Sequence, residues 1–172
     1  MKKIKNIPLC IVFGAVCIFL MYMIFMLSFQ SGDASAQNSH FFYNIFLKIT
    51  GFDFVSHNMF RKFAHFCEFC ALGFFSCGAF TFGGIVSGGA VGGYFSFLYS
   101  VSDEIHQYFV PERACRIFDV YIDFFGILCG IIIFRLIIAF IYKFLKKSLW
   151  FTFYYVYDII YTILISEVEY DK

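Results

Sequence analysis

The chain has 172 residues, 61% of them hydrophobic and 24% aromatic, with a formal net charge of +1. Soluble domains are nearer half apolar, so the excess points to an integral membrane protein of single-domain length. The near-neutral balance excludes a nucleic-acid binder, which needs a basic face.

A helical span needs about twenty apolar residues. The first runs over residues 7–29, behind Lys2, Lys3 and Lys5. A signal peptide has the same order of parts, and Ala34-Ser35-Ala36 offers a small-x-small site. The apolar stretch is nevertheless long against a signal core of about 7–15 residues, so it reads as a retained first helix. Residues 40–54 are aromatic and weakly amphipathic and are expected along the outer surface. The second span covers residues 63–82. A turn at Gly83 and Gly84 leads to the third, residues 85–101, whose helix continues through Asp103 to Gln107. Gly88, Gly89, Gly92 and Gly93 favour close helix approach, as small residues do in membrane interfaces. The fourth span, residues 120–140, ends near Arg135, Lys143, Lys146 and Lys147. Residues 149–165 are apolar and Tyr-rich but interrupted by Asp158, a pattern that fits a short fifth span or an interfacial helix equally. The expected fold is an all-α integral membrane protein, a bundle of four transmembrane helices with a fifth C-terminal or interfacial helix. The division is a transmembrane domain over 1–145 and a C-terminal extension over 146–172.

Lys and Arg beside the spans set orientation. An even number of crossings puts Lys2, Lys3, Lys5, Lys143, Lys146 and Lys147 together in the cytoplasm. Arg61, Lys62, Arg113 and Arg116 then face out, where neighbouring acids pair with them. Of seven cysteines, Cys10, Cys17, Cys77 and Cys129 sit in apolar runs and read as small hydrophobes. Cys67 and Cys70 form a C-x-x-C without a second pair, which gives zinc or redox chemistry little support. Cys115, in a polar loop, reads as a free thiol.

Charge is scarce but clustered. In "RKFAHFCEF" (61–69), Arg61, His65 and Glu68 follow i, i+4, i+7 and share one helical face. Glu68 then lies about 10 Å along the helix from Arg61. In "SVSDEIHQYFVPER" (100–113), Asp103 and Gln107 are i, i+4, with Ser100 on the same side and Glu104 flanking. In "DVYIDFFG" (119–126), Asp119, Asp123 and Gly126 repeat the spacing, and Asp119 also suits the helix dipole. A charge at mid-bilayer costs about 2.5 kcal/mol or more, and such residues face the bundle interior or a wet cavity. Three stripes at one depth therefore imply one shared polar pocket. Interhelical salt bridges that only fix the packing are the plainer reading. Lys62 points to another side from Arg61, with a lipid phosphate as its plainer partner. His106 is expected at the surface, and His40 and His57 carry no assignment. A single His among many Arg gives a metal site little support, and no metal or cofactor is expected. His65 with Glu68 could serve as an acid–base pair.

At these residues the chain resembles the VanZ-like family of small bacterial membrane proteins. The resemblance rests on "SFQSGDAS" (28–35) and on "RKxAHFxEF" at Arg61, Lys62, Ala64, His65, Phe66, Glu68 and Phe69. It continues in "SDExxQxFxPxR" at Ser102, Asp103, Glu104, Gln107, Phe109, Pro111 and Arg113, and in "DVxIDxxG" at Asp119, Val120, Ile122, Asp123 and Gly126. One departure is Glu112, where the family commonly has a Gly that would permit a left-handed turn. The resemblance implies a VanZ-like transmembrane domain over 1–145 and a link to low-level resistance against glycopeptides, teicoplanin especially. Fold analogy supplies no reaction. The leading expectation is a non-enzymatic cell-membrane protein with an N-terminus in the cytoplasm and an outward pocket for an anionic envelope ligand. Its binding residues would be Arg61, Lys62, His65, Glu68, Ser100, Asp103, Glu104, Gln107, Arg113, Asp119 and Asp123. Expected partners are membrane lipids and a lipid-linked cell-wall precursor or the glycopeptide itself. The alternatives are an integral membrane enzyme that modifies such a precursor, with His65 and Glu68 as the catalytic candidates, and a structural bundle that packs on Gly88–Gly93.

Overall fold

The computed structural model describes residues 5–51, 55–113 and 115–170, of which 146–170 are described for their backbone alone. All of the regular structure among them is helical. Helix α1 is Ile7–Ser28, α2 Gly32–Thr50, α3 His57–Phe82, α4 Gly88–Tyr108 and α5 Ile117–Tyr170.

Local chemistry sets the boundaries. Asn6 caps α1 by accepting the Leu9 N–H at 3.1 Å, and Pro8 occupies its first turn. Ser31 caps α2 through the Ala34 N–H, with Asp33 in the first turn. This cap starts α2 eight residues before the aromatic stretch expected at 40–54, and left-handed Gly51 (φ 69°) closes it. Ser56 caps α3 at the Met59 N–H, six residues ahead of the apolar run expected from 63. The Gly83–Gly84 turn lies where the sequence put it, with Gly84 at φ 87°. The α5 backbone stays helical across Lys143–Leu149, where the sequence suggested a division. Whether residues 149–165 span the membrane or lie along it falls outside the described side chains. The same holds for Lys2, Lys3, Lys146, Lys147 and Asp158.

Two compact units divide at Phe134 and Arg135. In the first, the Asn6 N–H donates to the Phe82 carbonyl at 2.8 Å and so sets α1 antiparallel to α3. Cys17, Ile24, Phe69, Leu72 and Ile127 form the buried core. Phe13, Phe74, Phe75, Phe82 and Phe134 cluster towards the end where α1 begins, most pairs edge to face and Phe13 on Phe74 stacked, with ring centroids 5.2–6.1 Å apart. Helices α3 and α4 approach closely: Ser76 Oγ is 2.8 Å from Ser96 Oγ, and a Cβ on Gly92 would stand 2.7 Å from the Cys77 nitrogen. Helices α3 and α5 approach as closely through Gly73, Gly126 and Gly130.

The polarity is inverted relative to a soluble protein. Ile11, Ile18, Phe19, Ile132 and Leu136 are exposed, while Ser76, Ser96, Ser100, Asp103, Glu104, Gln107 and Asp123 are buried. So much continuous apolar surface suits lipid rather than water. Among the described residues, three helices are long and apolar enough to cross a membrane: α1, α3 and α5 over Ile117–Leu145. Helix α4 has the length, roughly 30 Å at 1.5 Å per residue. Its inward face is spent on Gly, Ser, Asp, Glu and Gln, which lowers its average apolarity.

Candidate functional site

The helix directions bring the end of α1, the starts of α2, α3 and α5 and the end of α4 to one end of the first unit. All three polar stripes arrive there. They do not form one pocket but two cavities with a common wall and a buried scaffold behind them. The first cavity, of about 300 Å³, lies between α2 and α3 beside Leu27 and Ser28. The second, of about 440 Å³, lies among the starts of α2, α3 and α5 and the α4–α5 loop. Arg61, His65 and Arg113 line both.

The scaffold consists of candidate residues that reach neither cavity, together with Gln107, which does. Asp103 Oδ2 accepts from Ser28 Oγ at 3.0 Å and from Gln107 Nε2 at 2.9 Å. Gln107 also donates to Ser28 at 3.3 Å and lines the second cavity. Ser100 Oγ donates to Asp123 Oδ2 at 2.9 Å. Glu104 Oε2 accepts the Arg116 N–H at 3.0 Å and ties the α4–α5 loop back onto α4. Ser100, Asp103, Glu104 and Asp123 thus hold α1, α4 and α5 together in register.

The remaining candidates line cavities. Arg61 Nη2 donates to Ser35 Oγ at 3.4 Å, and Arg113 Nη2 donates to the Leu27 carbonyl at 2.9 Å. Neither guanidinium lies within 4.0 Å of a carboxylate among the described residues. Burial and the Arg61 charge lower the pKa of Arg113 from its ordinary value, while Asp103, Glu104 and Glu68 oppose that. It stays cationic at neutral pH all the same. His65 Nδ1 stands 3.9 Å from Glu68 Oε2, too far for a hydrogen bond. Glu68 lines the first cavity only, Asp119 and Lys62 the second only. The Lys62 ammonium sits 4.4 Å from the centre of the Phe118 ring, a cation–π contact. Arg113 Nε, His65 Nδ1 and Asp119 Oδ1 are buried and have no hydrogen-bond partner among the described residues.

Sequence reasoning missed several contributors. Ser35, Asn38, Ser39 and Phe42 of α2 line the first cavity at i, i+3, i+4, i+7, a periodicity legible in the sequence but not taken up. His40 and His57, left unassigned, stack with ring centres 3.7 Å apart, and Ser39 Oγ lies 2.8 Å from His57 Nε2. This pair clasps α2 to α3. His106, expected at the surface, is half-buried, with its ring 4.8 Å from Phe25 and 6.0 Å from Phe29. Cys115 is a free, exposed thiol, as expected.

Glu112 adopts the left-handed turn that glycine would favour, at φ 62°. Its carboxylate accepts the Asp33 N–H at 3.3 Å, and the Pro111 carbonyl accepts the Gly32 N–H at 3.1 Å. The negative charge at the α2 N-terminus offsets the backbone cost, and the loop that carries Arg113 is pinned in place. Replacement of Glu112 by Gly or by Ala removes the same carboxylate. Glu112→Gly is therefore expected to unfold later than Glu112→Ala by about 1 kcal/mol, the left-handed cost of a Cβ. Thermal unfolding of the two purified variants checks this, and equal midpoints would refute it.

A family model described as VanZ/LLP1 matches residues 13–140. The matched stretch holds every residue of both cavities. No curated protein and no solved structure matches the chain.

Proposed function

The chain belongs to the VanZ/LLP1 family, and on that premise we propose that it is a multi-pass protein of the cell membrane that binds an anionic ligand of the cell envelope. Through that binding it supports low-level resistance to glycopeptides, teicoplanin above all. The observation that carries this reading is the wall shared by the two cavities. There, among the described residues, Arg61 and Arg113 stand without a carboxylate within 4.0 Å, and Arg113 Nε has no acceptor. A guanidinium fork suits phosphate and carboxylate because it offers paired donors. A lipid-linked cell-wall precursor and the antibiotic's own carboxylate both present such a group. In this reading α4 is the fourth span, with its polar face sealed inside the bundle. The N-terminus is then cytoplasmic and the cavities face out.

Parent, Arg61→Gln and Arg113→Gln are to be expressed at matched membrane levels in a susceptible bacterial host. Both variants are expected to fall to the host's own teicoplanin susceptibility. Loss of a charge-assisted pair of bonds is about 1.5–3 kcal/mol, or roughly 10–100-fold in affinity. In intact cells, Cys115 in the α4–α5 loop is expected to react with an impermeant maleimide. Undiminished protection by both variants would overturn the binding role. Modification of Cys115 only after lysis would overturn the orientation.

A further inference from the structure

Resting on that reading, we propose that the ligand is an anionic lipid held in two parts, with its phosphate against Arg61 and Arg113 in the polar cavity and a hydrocarbon chain in the groove between α2 and α3. The two cavities differ in chemistry as the two ends of an amphiphile do. The second brings Arg61, Lys62, Arg113 and Arg116 together against three carboxylates, Asp33, Glu112 and Asp119. The lining therefore carries one more positive charge than negative. The first is walled by two facing helical stripes: Ser35, Asn38, Ser39 and Phe42 on α2, and Arg61, Ala64, His65 and Glu68 on α3. Both stripes follow i, i+3, i+4, i+7, so each helix turns a single face to this cavity.

The groove changes character along its length. Ser35 meets Arg61 at its polar mouth. Phe42 lies seven residues further along α2, about 10 Å away by helical rise. Leu27, Phe42, Phe60 and Ala64 give the groove its apolar wall, interleaved with Asn38, Ser39 and Glu68. Phe60 is backed by the rings of Tyr43 and Phe46, with centroids 5.6 and 5.5 Å away. Phe42 keeps 60% of its surface exposed although it lines a cavity. It is an apolar side chain that the protein's own packing leaves uncovered. Each cavity is in or near the range of about 300–1,000 Å³ that small-molecule sites occupy. The shared wall of Arg61, His65 and Arg113 falls where the head and tail of a lipid would join. A free phosphate would occupy only part of the second cavity and leave the groove uncovered.

The test uses the full chain in detergent and three probes: dioctanoyl phosphatidate, glycerol 3-phosphate and dioctanoylglycerol. The first carries both parts, the second only the phosphate, and the third only the chains. Phosphatidate is expected to bind at least tenfold tighter than either of the others. Ala64→Leu, which fills the groove, should remove that advantage and leave glycerol 3-phosphate binding unchanged. Phe42→Ala, at a largely exposed ring whose loss does not disturb the fold, should reduce it in the same direction. If phosphatidate and glycerol 3-phosphate bind equally and neither groove variant matters, the chain site is refuted while the anion site stands. If dioctanoylglycerol binds as well as phosphatidate, the divided ligand is refuted. If no probe binds, or Arg113→Gln binds phosphatidate as the parent does, the anion site and the lipid proposal fall together.

Discussion

Gly130→Ala is expected to destabilise the protein by about 3 kcal/mol, the upper part of the range for overpacking, and Gly130→Leu to leave no folded monomer. A Cβ at Gly130 would overlap the Cys70 carbonyl oxygen, and the Phe74 nitrogen would stand 2.8 Å away. Both neighbours are backbone, so no side chain can swing aside. One turn away, a Cβ on Gly126 would meet the Phe66 carbonyl at 2.5 Å, and on the facing helix one on Gly73 would meet the Ile127 carbonyl at 2.6 Å. The whole α3–α5 seam would have to open. In the opposite direction, alanine favours a helix over glycine by about 1 kcal/mol, so local propensity and packing disagree at this position. Gly14, on α1, separates the two terms: nothing lies within 4 Å of its Cβ position. Gly14→Ala should therefore melt at or above the parent while Gly130→Ala melts well below it. Thermal unfolding of the detergent-purified chain decides the matter, and parent-like melting of Gly130→Ala would show that the seam is looser than described.

The second large effect is expected at Asp103. Its Oδ2 accepts from Ser28 and Gln107 and joins the end of α1 to α4 in a buried setting. Asp103→Ala leaves both donors short of an acceptor, at a cost of about 2–3 kcal/mol given about 1–3 per unsatisfied buried group. The donors still reach each other at 3.3 Å, which limits the loss. Asp103→Asn keeps a carbonyl acceptor and should cost well under half as much. In the Asp103→Ala background, the further change Ser28→Ala should add almost nothing, because the bond it would break is already gone. Full additivity in that cycle would mean that Ser28 and Asp103 act separately and that the scaffold is not one unit.

Much of this was legible in the sequence, for specific reasons. Apolar run length located α1 and the body of α3, because lipid fixes how long such runs must be. Helical periodicity put Arg61, His65 and Glu68 on one face, and the helix of the third span, carried through to Gln107, ends one residue later at Tyr108. What periodicity could not give was depth order. Asp103, Glu104 and Asp123 look like cavity ligands on a helical wheel, yet they reach neither cavity and bond instead to Ser28, to the Arg116 backbone and to Ser100, with Asp123 Oδ1 left without a partner among the described residues. Those partners come from distant parts of the chain and depend on which helix sits beside which. The starts of α2 and α3 were missed for another reason. A single serine cap, at Ser31 or Ser56, outweighs the polar composition that follows it. The role of α2 itself went unread because its cavity face mixes Ser, Asn and Phe and shows neither a charge stripe nor an apolar one.

The clasp formed by α2 has a consequence for what any affinity at this site measures. Helix α2 buries none of its residues. Its hold on the bundle is local: the His40–His57 stack, the Tyr43 hydroxyl on the Val55 carbonyl, and the Gly32–Pro111 tie. The opposite wall, α3, is wedged backbone to backbone against α5. The groove therefore lies between the least and the most firmly fixed helices of the unit, and segments with few buried contacts sample open states at low free energy. A ligand that touches both walls stills α2 as it binds. The entropy lost in that ordering is subtracted from the contact energy. Substitutions in the clasp, remote from any charged group of the cavities, would then change binding by changing how much order is left to impose.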